Sequence, residues 1–415
     1  MKKNIKHISN LIIVAVVIFG LAVALPMSAM SAWFSATAQT AKAEDAIPSL
    51  KEQKLDDSLQ DAVADTLYEA RWEDRPARGM LAPAYHASNP AQQYDSYFTP
   101  NGLTLTPQDA PNDDINSNAN QGAAYVFVRS NGVWTEQQKI TDSGGAAQDR
   151  FGTAVDISVD TIVVGADPFP RQGAAYVFVR SSGFWSPQQK LTNDTGTGYD
   201  SFGVRVAVDL NTVVVGAPQD LIGANSQQGS AYVFVRNGTV WSKQAKLVAG
   251  DGAAGDQFGV SVAVSGNWVV AGAHFDSVGT TSLQGSAYVF VRTFSSWSQQ
   301  GKLTASDGMA NDYFGWSVAI HGSIIVVGAH YDDEGSYAQQ GSAYVFVRSG
   351  QIWSQHQKLI AFDGRTSDRF GASVATSAGA IVVGSPSNDY LYYSSACPIL
   401  WCVAPNQGSA FVFRQ

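Results

Sequence analysis

The chain has 415 residues, of which 45% are hydrophobic and only 15% are charged, and it contains 39 glycines. A low charge content with abundant glycine, serine and glutamine is typical of a protein built from strands and turns. The formal net charge of −9 argues against a nucleic-acid partner, for which a basic patch is expected.

The N-terminal residues have the layout of a secretory signal. Lysines near the N-terminus precede an apolar run from 11 to 25, and the small-x-small sequence at 41–43 fits a cleavage site. We therefore expect residues 1–43 to be a signal peptide and the protein to be secreted or at the cell surface. An uncleaved N-terminal anchor is the alternative. Without residues 1–43 the chain keeps 22 basic and 35 acidic residues, a net charge of −13.

Residues 44–94 differ in composition from the rest of the chain. Apolar residues at four-residue spacing predict one amphipathic helix over 50–73. They are Leu55, Leu59, Val63 and Leu67. This helix is expected to pack on the following domain or to form a short stalk, with a partner-binding helix as the alternative.

From residue 95 onward one unit recurs with a period of about 56 residues. Its signature is Gln-Gly-(Ala/Ser)-Ala-Tyr-Val-Phe-Val-Arg, and a degenerate sixth copy surrounds Phe411. The tyrosines of the other copies are Tyr125, Tyr176, Tyr232, Tyr288 and Tyr344. Each unit, such as 258–303, has four short runs rich in β-branched and aromatic residues, bounded by turn residues. Four strands per repeat predict an all-β fold, a β-propeller over 95–415.

The number of blades is less well defined by the repeats. The last unit ends after three strands, and 122–140 supplies only strands three and four of a first unit. Tyr97-Phe98 and 102–106 are expected to give an opening strand that closes the ring between the termini. We predict about six four-stranded blades; seven blades, or a fragment of a longer protein, are the alternatives.

All length variation falls in one connection of the repeat. The Tyr-to-Trp, Trp-to-Phe and Phe-to-Gly separations are 9, 17 and 14 residues in every copy. From that glycine to the next aromatic residue the separations are 11, 16, 16, 16 and 27. The variable segment joins strand two to strand three, and it emerges on the same face as the connection to the next unit. Loops on a rigid scaffold carry function, so we expect the binding face there.

The residues that open and close the first strand pair carry a family resemblance. Phe-Gly opens each unit, and Gly-Ala-Pro or a variant follows, as in Gly216-Ala217-Pro218, Gly272-Ala273-His274, Gly328-Ala329-His330 and Gly384-Ser385-Pro386. These units resemble FG-GAP repeats, the units of the integrin α-subunit propeller, over roughly 122–415. The chain also resembles exported bacterial FG-GAP proteins. The resemblance implies a β-propeller, an extracellular setting, ligand binding or adhesion, and often calcium.

The family's calcium cage does not carry over to this sequence. In integrin-type repeats an Asp-x-Asp-x-Asp-Gly segment lies between the Phe-Gly and Gly-Ala-Pro strands. Here that segment is a tight turn, such as Asp209-Leu210-Asn211, which cannot supply the roughly six to eight oxygen ligands of calcium. No cofactor is therefore certain.

Paired aspartates recur in the connection from strand four to the next unit. They are Asp251 and Asp256, Asp307 and Asp312, and Asp363 and Asp368. A short carboxylate can hold a turn by accepting backbone N–H bonds, which is the simpler interpretation. A calcium site of different geometry is the alternative.

Candidate ligand-binding residues are side chains of the strand-two-to-three loops. They are His274, Phe275, Asp276, His330, Tyr331, Asp332, Asp333, Tyr390, Tyr392, Tyr393 and Trp401. A histidine beside carboxylates suits metal binding or acid–base chemistry, although a plain surface histidine is the simpler interpretation. Tyrosine and tryptophan are enriched where interfaces carry binding energy. The tryptophans that keep one register in every copy, such as Trp241, are instead expected in the core between blades.

The enlarged final loop, 387–406, contains both cysteines of the chain, Cys397 and Cys402. An oxidising compartment favours a local disulfide between them, with two free thiols as the alternative. This loop is the strongest single candidate for a partner contact.

Taken together, the residues predict an exported β-propeller that binds an extracellular protein or glycan through its strand-two-to-three loops. It is not expected to be an enzyme, because the sequence has no HExxH, Gly-x-Ser-x-Gly or phosphate-binding loop. A structural surface or scaffold protein and a propeller hydrolase or lyase are the alternatives. No membrane span is expected after signal removal. The ligand and the oligomeric state are not specified by the sequence.

Overall fold

A computed structural model describes most of the repeat region of the chain. The described residues are 94–99, 102–107, 120–130, 133–168, 171–193, 199–377, 379–388, 390–392, 402–404 and 408–414. The predicted signal peptide and the helix over 50–73 lie outside them. Their regular structure is entirely β, and they contain no helix that could cross a membrane.

Five four-stranded antiparallel sheets follow one another along the chain, and we number them blades 1 to 5. Blade 1 contains β1 (Tyr94–Thr99), β2 (Gly102–Pro107), β3 (Ala124–Ser130) and β4 (Val133–Ile140). Blade 2 contains β5 (Ala154–Ser158), β6 (Thr161–Ala166), β7 (Ala174–Ser181) and β8 (Phe184–Leu191). Blade 3 contains β9 (Arg205–Asp209), β10 (Thr212–Ala217), β11 (Ser230–Asn237) and β12 (Val240–Leu247).

The remaining strands complete two more blades and one smaller sheet. Blade 4 contains β13 (Ser261–Ser265), β14 (Trp268–Ala273), β15 (Ser286–Thr293) and β16 (Ser296–Leu303). Blade 5 contains β17 (Ser317–His321), β18 (Ile324–Ala329), β19 (Ser342–Ser349) and β20 (Ile352–Leu359). Sheet 6 contains β21 (Ser373–Ser377), β22 (Ala380–Ser385) and β25 (Ser409–Arg414), and a hairpin of β23 (Tyr390–Tyr392) and β24 (Cys402–Ala404) lies in its enlarged loop.

The structure confirms an all-β propeller and refines the predicted blade count. Five complete blades and the three-stranded sheet 6 are present among the described residues, so six complete blades are not supported. The predicted opening segment pairs with blade 1, where Leu105 lies opposite Tyr125, and it supplies two strands rather than one. These strands therefore complete the first blade and do not extend the last sheet.

The blades are arranged radially, as the contacts between their strands show. The first strand of each blade lies beside the first strand of the next, from β5 and β9 through to β17 and β21, whereas the fourth strands barely touch. Each blade is therefore a wedge whose first strand lies nearest the axis. The second strand is covered on both sides by neighbours, so Thr212–Ala217 is buried along its whole length. Apolar layers fill the spaces between consecutive sheets.

The Phe-Gly and Gln-Gly motifs join each blade to the next. The Phe258 side chain is fully buried and packs edge-on against Tyr288 of its own blade, with the ring centroids 5.5 Å apart. Its backbone N–H donates to the Gln228 carbonyl of blade 3 at 2.8 Å. The equivalent bonds of Phe151, Phe314 and Phe370 measure 2.8, 2.9 and 2.8 Å. The phenylalanine of this motif therefore packs its side chain in the core of its own blade, and its backbone N–H binds the edge of the preceding blade.

The glycine of Gly-Ala is required by close backbone contact between blades. A Cβ atom added to Gly272 would lie 1.9 Å from the carbonyl oxygen of Gly315, at the Phe-Gly of the next blade. The Gly315 N–H in turn donates to the Gly328 carbonyl at 3.0 Å. Any side chain at Gly272 would push the two blades apart.

Recurrent tryptophans join neighbouring blades at the outer rim through hydrogen bonds. The Trp241 N–H donates to Oε1 of Gln189 in the preceding blade, and Nε2 of Gln189 donates back to the Trp241 carbonyl, both at 2.8 Å. The indole N–H of Trp241 donates to Oε1 of Gln188 at 2.7 Å. These tryptophans lie between blades, as their constant register indicates.

We predict that Gly272→Ala lowers the free energy of unfolding by about 3 kcal/mol, because the added methyl group overlaps the neighbouring backbone. Gly301→Ala is the matched control, since its Cβ meets no atom within 4 Å. Its effect is expected to stay within about 0.5 kcal/mol. Urea denaturation followed by tryptophan fluorescence measures both. Equal stability of the two variants would contradict the proposed close contact.

Candidate functional site

The long-loop face of the propeller is formed by the strand-two-to-three loops and by the connections from strand four to the next blade. Its loops are held by buried aspartates. Asp276 accepts hydrogen bonds from the hydroxyls of Ser286 and Tyr288, the latter at 3.1 Å, and forms an ion pair with Lys302 at 2.6 Å. All four residues belong to blade 4, and Asp276 is only 4% exposed.

The same four-residue network recurs in the blades on either side. In blade 3, Asp220 binds Ser230, Tyr232 and Lys246, and in blade 5, Asp332 binds Ser342, Tyr344 and Lys358. The predicted ligand residues Asp276 and Asp332 therefore hold the loops in place and have little surface left for a ligand.

In blades 4 and 5 the lysine of the network also neutralises a carboxylate of a second loop. Lys302 reaches Asp251 at 2.7 Å, and Lys358 reaches Asp307 at 2.9 Å and Glu334 at 2.8 Å. Burial acts against the charged lysine, but the bonds to the carboxylates outweigh it and raise the pKa of Lys302. Burial likewise acts to raise the pKa of Asp251, yet the bond from Lys302 lowers it below its ordinary value. An ammonium group thus lies where the carboxylates of two loops meet.

The second aspartate of each predicted pair accepts a backbone N–H bond within its own turn. Oδ2 of Asp256 accepts from Ala253 at 2.6 Å, and the equivalent bonds to Asp312 and Asp368 measure 2.5 and 2.7 Å. Burial is the main cause that raises the pKa of Asp312 to about 7. Within the described residues, no group of three or more His, Cys, Asp or Glu side chains is placed to hold a metal ion. The calcium site of different geometry, the alternative to turn-holding aspartates, is not tested by these contacts.

A continuous strip of aromatic rings lies on the long-loop face. We call it the aromatic strip, and it consists of His274, Phe275, Tyr313, Trp316, His330 and Tyr331. The Phe275 and Tyr313 ring centroids are 5.2 Å apart, and those of Tyr313 and Tyr331 are 5.0 Å apart. Trp316 lies 4.4 Å from His330 and 5.1 Å from His274. The strip therefore spans the junction between blades 4 and 5.

Backbone features common to every blade position the strip. His274-Phe275 and His330-Tyr331 directly follow the second strands of blades 4 and 5, whereas Tyr313 and Trp316 flank the Phe-Gly of blade 5. Tyr313 has a left-handed φ of 57°. The residue before Phe-Gly has this conformation in every copy: Arg150 (51°), Ser201 (54°), Gln257 (56°) and Arg369 (58°). The fold thus requires an unfavourable backbone conformation there, but it does not specify the side chain.

The two histidines are structural parts of the strip. His274 is 2% exposed and His330 is 5% exposed, and burial lowers the pKa of each to about 3. Both rings are therefore neutral at pH 7. Each Nδ1 atom is buried without a hydrogen-bond partner, so no carboxylate orients either ring as a general base.

Tyr313 and Trp316 were not among the residues predicted from the sequence. The sequence does mark both residues, because they differ from the equivalent residues of the other copies. The other copies have Arg, Ser or Gln before Phe-Gly, where this copy has Tyr313, and small or aliphatic residues two positions after the phenylalanine, where it has Trp316. The latter are Thr153, Val204, Val260 and Ala372. A copy-by-copy comparison of the residues beside Phe-Gly would have found both aromatic residues.

A cleft of about 530 Å³ opens beside the strip. We call it the Phe275 cleft. Phe275, Tyr313 and Leu283 provide its apolar lining, and Asp251, Asp256, Asp276 and Lys302 provide its charged lining. Three carboxylates thus surround one ammonium group. The arrangement can bind a ligand that combines a flat or apolar part with hydrogen-bond donors or positive charge.

Other predicted site residues lie apart from the strip or outside the described residues. Asp333 is exposed, and its Oδ1 accepts a bond from the Gln339 N–H at 2.7 Å. Tyr390 and Tyr392 belong to β23, and Cys402 belongs to β24. Tyr393, Trp401 and Cys397 are not among the described residues, so the predicted disulfide stays a prediction.

The segments that match a known protein family coincide with the blade junctions. The sequence model of the FG-GAP repeat matches residues 134–178, 185–234, 241–290, 297–346 and 353–413. These five matches cover more than half of the chain. The protein belongs to the FG-GAP repeat family. A comparison with curated proteins found no match. Each family match runs from the tryptophan of one blade to the third strand of the next, so the FG-GAP unit describes a blade junction.

For this FG-GAP protein we predict that Asp276→Ala lowers the free energy of unfolding by about 3 kcal/mol, because it removes the buried acceptor shared by the Ser286 and Tyr288 hydroxyls and one of the two carboxylate partners of Lys302. Asp160→Ala is the matched control. It removes an ion pair with Arg180 in which the aspartate side chain is 53% exposed, so a loss below about 1 kcal/mol is expected. Chemical denaturation of both variants measures the difference. A stable Asp276→Ala variant would show that this aspartate does not hold the loop.

Proposed function

We propose that this FG-GAP protein is an exported or cell-surface binding protein that recognises an extracellular protein or glycan through its long-loop face. The observation that carries the proposal is the aromatic strip. Four of its rings, Phe275, Tyr313, Trp316 and Tyr331, are half-buried and share one surface beside the Phe275 cleft. Half-exposed aromatic rings next to polar groups supply much of the binding energy at protein interfaces.

The position of the strip supports binding over a purely architectural role. The blades repeat their core aromatic residues, so a residue needed for the fold recurs, as Phe258 and Phe314 do. Tyr313 and Trp316 do not recur, although the backbone at their positions does. Side chains that vary on a constant backbone are where a repeat protein can specialise.

A structural scaffold role is the second candidate, and the near-identity of blades 3, 4 and 5 favours it. A hydrolase or lyase receives less support, because the two histidines are buried, neutral and without a carboxylate partner at Nδ1. Export is supported by the signal-like pattern of residues 1–43.

The test compares binding of the full chain and its variants to immobilised polysaccharides and extracellular-matrix proteins. The double variant Tyr313→Ala/Tyr331→Ala is expected to lose at least about tenfold in affinity for whatever the native protein binds, because aromatic hot spots contribute that much. Tyr337→Ala is the control, since Tyr337 is 48% exposed on the same face outside the strip.

Two results would contradict the proposal. The first is a native protein that binds no member of the panel and self-associates instead, as a scaffold would. The second is a double variant that binds as tightly as the native protein, which would place the binding surface elsewhere.

A further inference from the structure

We infer that the face of the propeller opposite the long-loop face binds the surface of an anionic phospholipid membrane. We call it the short-turn face, and it consists of the strand-one-to-two and strand-three-to-four turns. The proposed function does not use this surface, so the inference does not depend on that proposal. It is carried by three exposed apolar side chains at strained turn positions and by arginines that recur beside them.

The three apolar side chains stand at turn tips in a left-handed backbone conformation. Val159 (φ 54°) and Leu210 (φ 51°) lie in the strand-one-to-two turns of blades 2 and 3, and Phe294 (φ 58°) lies in the strand-three-to-four turn of blade 4. Their exposed fractions are 48%, 57% and 98%. Positive φ is unfavourable for β-branched and bulky residues, and water is an unfavourable environment for apolar ones. These three residues therefore lower the stability of the turns that carry them.

Neighbouring blades have glycine at the same positions of the repeat. The glycines are Gly266 (58°) and Gly322 (59°) in the strand-one-to-two turns, and Gly238 (62°) and Gly350 (63°) in the strand-three-to-four turns. Glycine adopts positive φ readily because it has no Cβ. The fold consequently does not require an apolar side chain at these tips, and strain that the fold does not require is typical of functional positions.

Hydrogen bonds between blades hold the strand-one-to-two turns side by side. The Leu210 N–H donates to the Ser158 hydroxyl at 3.1 Å, which joins the turns of blades 2 and 3. The Gly266 N–H donates to Oδ2 of Asp209 at 2.6 Å, which joins those of blades 3 and 4. Val159 directly follows Ser158, so the apolar tips of blades 2 and 3 belong to one continuous surface.

The short-turn face is basic, although the chain as a whole is acidic. An arginine lies at the end of the third strand of every blade and of sheet 6, beside the following turn. These arginines are Arg129, Arg180, Arg236, Arg292, Arg348 and Arg414. In the described turns of this face the acidic residues are Asp160, which pairs with Arg180 at 2.7 Å, and Asp209. Six arginines thus face two aspartates, and positive charge is in surplus.

Neutral partners orient the arginines without neutralising them. Nε of Arg236 donates to Oδ1 of Asn211, and Nε of Arg292 donates to Oδ1 of Asn267, both at 2.9 Å. The guanidinium carbon of Arg236 lies 5.2 Å from the centre of the Trp241 ring, a cation–π contact that keeps the charge. The fold therefore fixes positive charge close to the apolar tips, where phosphate oxygens are suitable counter-ions.

Isolated apolar tips beside arginines fit a lipid surface better than a protein partner. Phe294 is 98% exposed and packs on almost nothing, whereas the core of a protein interface is packed as densely as a protein interior. Lipid chains and headgroups fill the space around separate side chains, and anionic headgroups attract basic residues at the surface. The same headgroups repel the aspartates of the long-loop face, which would therefore point away from the bilayer.

The test measures co-sedimentation of the full chain with phosphatidylcholine vesicles that contain about 30% phosphatidylglycerol, and with vesicles of phosphatidylcholine alone. We expect partitioning to the anionic vesicles to be at least about tenfold stronger, and to weaken as the salt concentration rises from about 50 to about 500 mM. Every protein compared keeps the same apolar run at 11–25, so differences between variants report on the short-turn face.

The decisive variant gives the three tips the glycine of the neighbouring blades, Val159→Gly/Leu210→Gly/Phe294→Gly. We expect its partitioning to anionic vesicles to be at least about tenfold weaker, because three apolar side chains no longer enter the bilayer. Its melting temperature is expected to be equal or higher, because glycine relieves the strain of positive φ. A purely structural role of the three residues predicts the opposite change in melting temperature.

The matched control removes three exposed apolar side chains from the long-loop face, Leu221→Ala/Met309→Ala/Phe362→Ala. These residues are 60%, 65% and 89% exposed, so the control changes as much apolar surface as the glycine variant. It is expected to partition to anionic vesicles as the native protein does.

A gain of binding is expected from Gly266→Leu/Gly322→Leu, which adds apolar tips to blades 4 and 5. A Cβ at either glycine meets no atom within 4 Å, and Leu210 already has this backbone conformation in blade 3. We expect partitioning at least about threefold stronger than that of the native protein, because two more apolar side chains enter the bilayer. The melting temperature should fall, because leucine is strained at positive φ.

Equal partitioning of the native protein to both kinds of vesicle, or native-like partitioning of the triple glycine variant, would overturn the inference. Light scattering supplies a further check. If the triple glycine variant changes the oligomeric state of the chain and not its partitioning, the face is an interface between copies and the inference is wrong. None of these outcomes bears on the long-loop face, which the ligand panel tests with different variants.

Discussion

The structure depends on one constraint, the close backbone contact between the Gly-Ala end of one blade and the Phe-Gly start of the next. At Gly272 and Gly315 the two backbones approach so closely that no side chain fits between them. That contact sets the spacing of the blades, and with it the depth of the apolar layers and the reach of the Gln–Trp bonds at the rim. The family signature is thus a description of how blades join.

A second feature is that lysines of the blades themselves neutralise aspartates of the long-loop face. The long-loop face concentrates aspartates, which would repel one another if they were left unpaired. Lys302 and Lys358 extend from the fourth strands into this charge, and each binds carboxylates of two loops. The chain's own ammonium groups consequently hold the loops at these junctions. The calcium cage of integrin-type repeats belongs to a different segment of the unit, between the Phe-Gly and Gly-Ala-Pro strands. Because Asp276 and Asp332 are paired within the fold, the aromatic strip is the distinctive surface of this face.

Strands and their order could be predicted from the repeat, because β-branched runs of fixed spacing leave few other arrangements. The partners of Asp276 were harder to predict, since Ser286, Tyr288 and Lys302 are distant in sequence and only strand pairing brings them together. A signal was nevertheless present, as all four residue types occur together in blades 3, 4 and 5. Tyr313 could not be predicted from loop-length variation, because it lies in a segment whose length is the same in every copy. Its left-handed backbone could not be read from a tyrosine in the sequence.

The most direct test of this account is a thermal melt of the full chain, first with millimolar calcium and then with a chelator. A ligand that binds only the folded state raises the free energy of unfolding by about 2.7 kcal/mol when its concentration is one hundred times its dissociation constant. The account predicts the same melting temperature in both conditions, because Lys302 and Lys358 already neutralise the loop carboxylates. A rise of several degrees with calcium would contradict it and would show that the paired aspartates are metal sites.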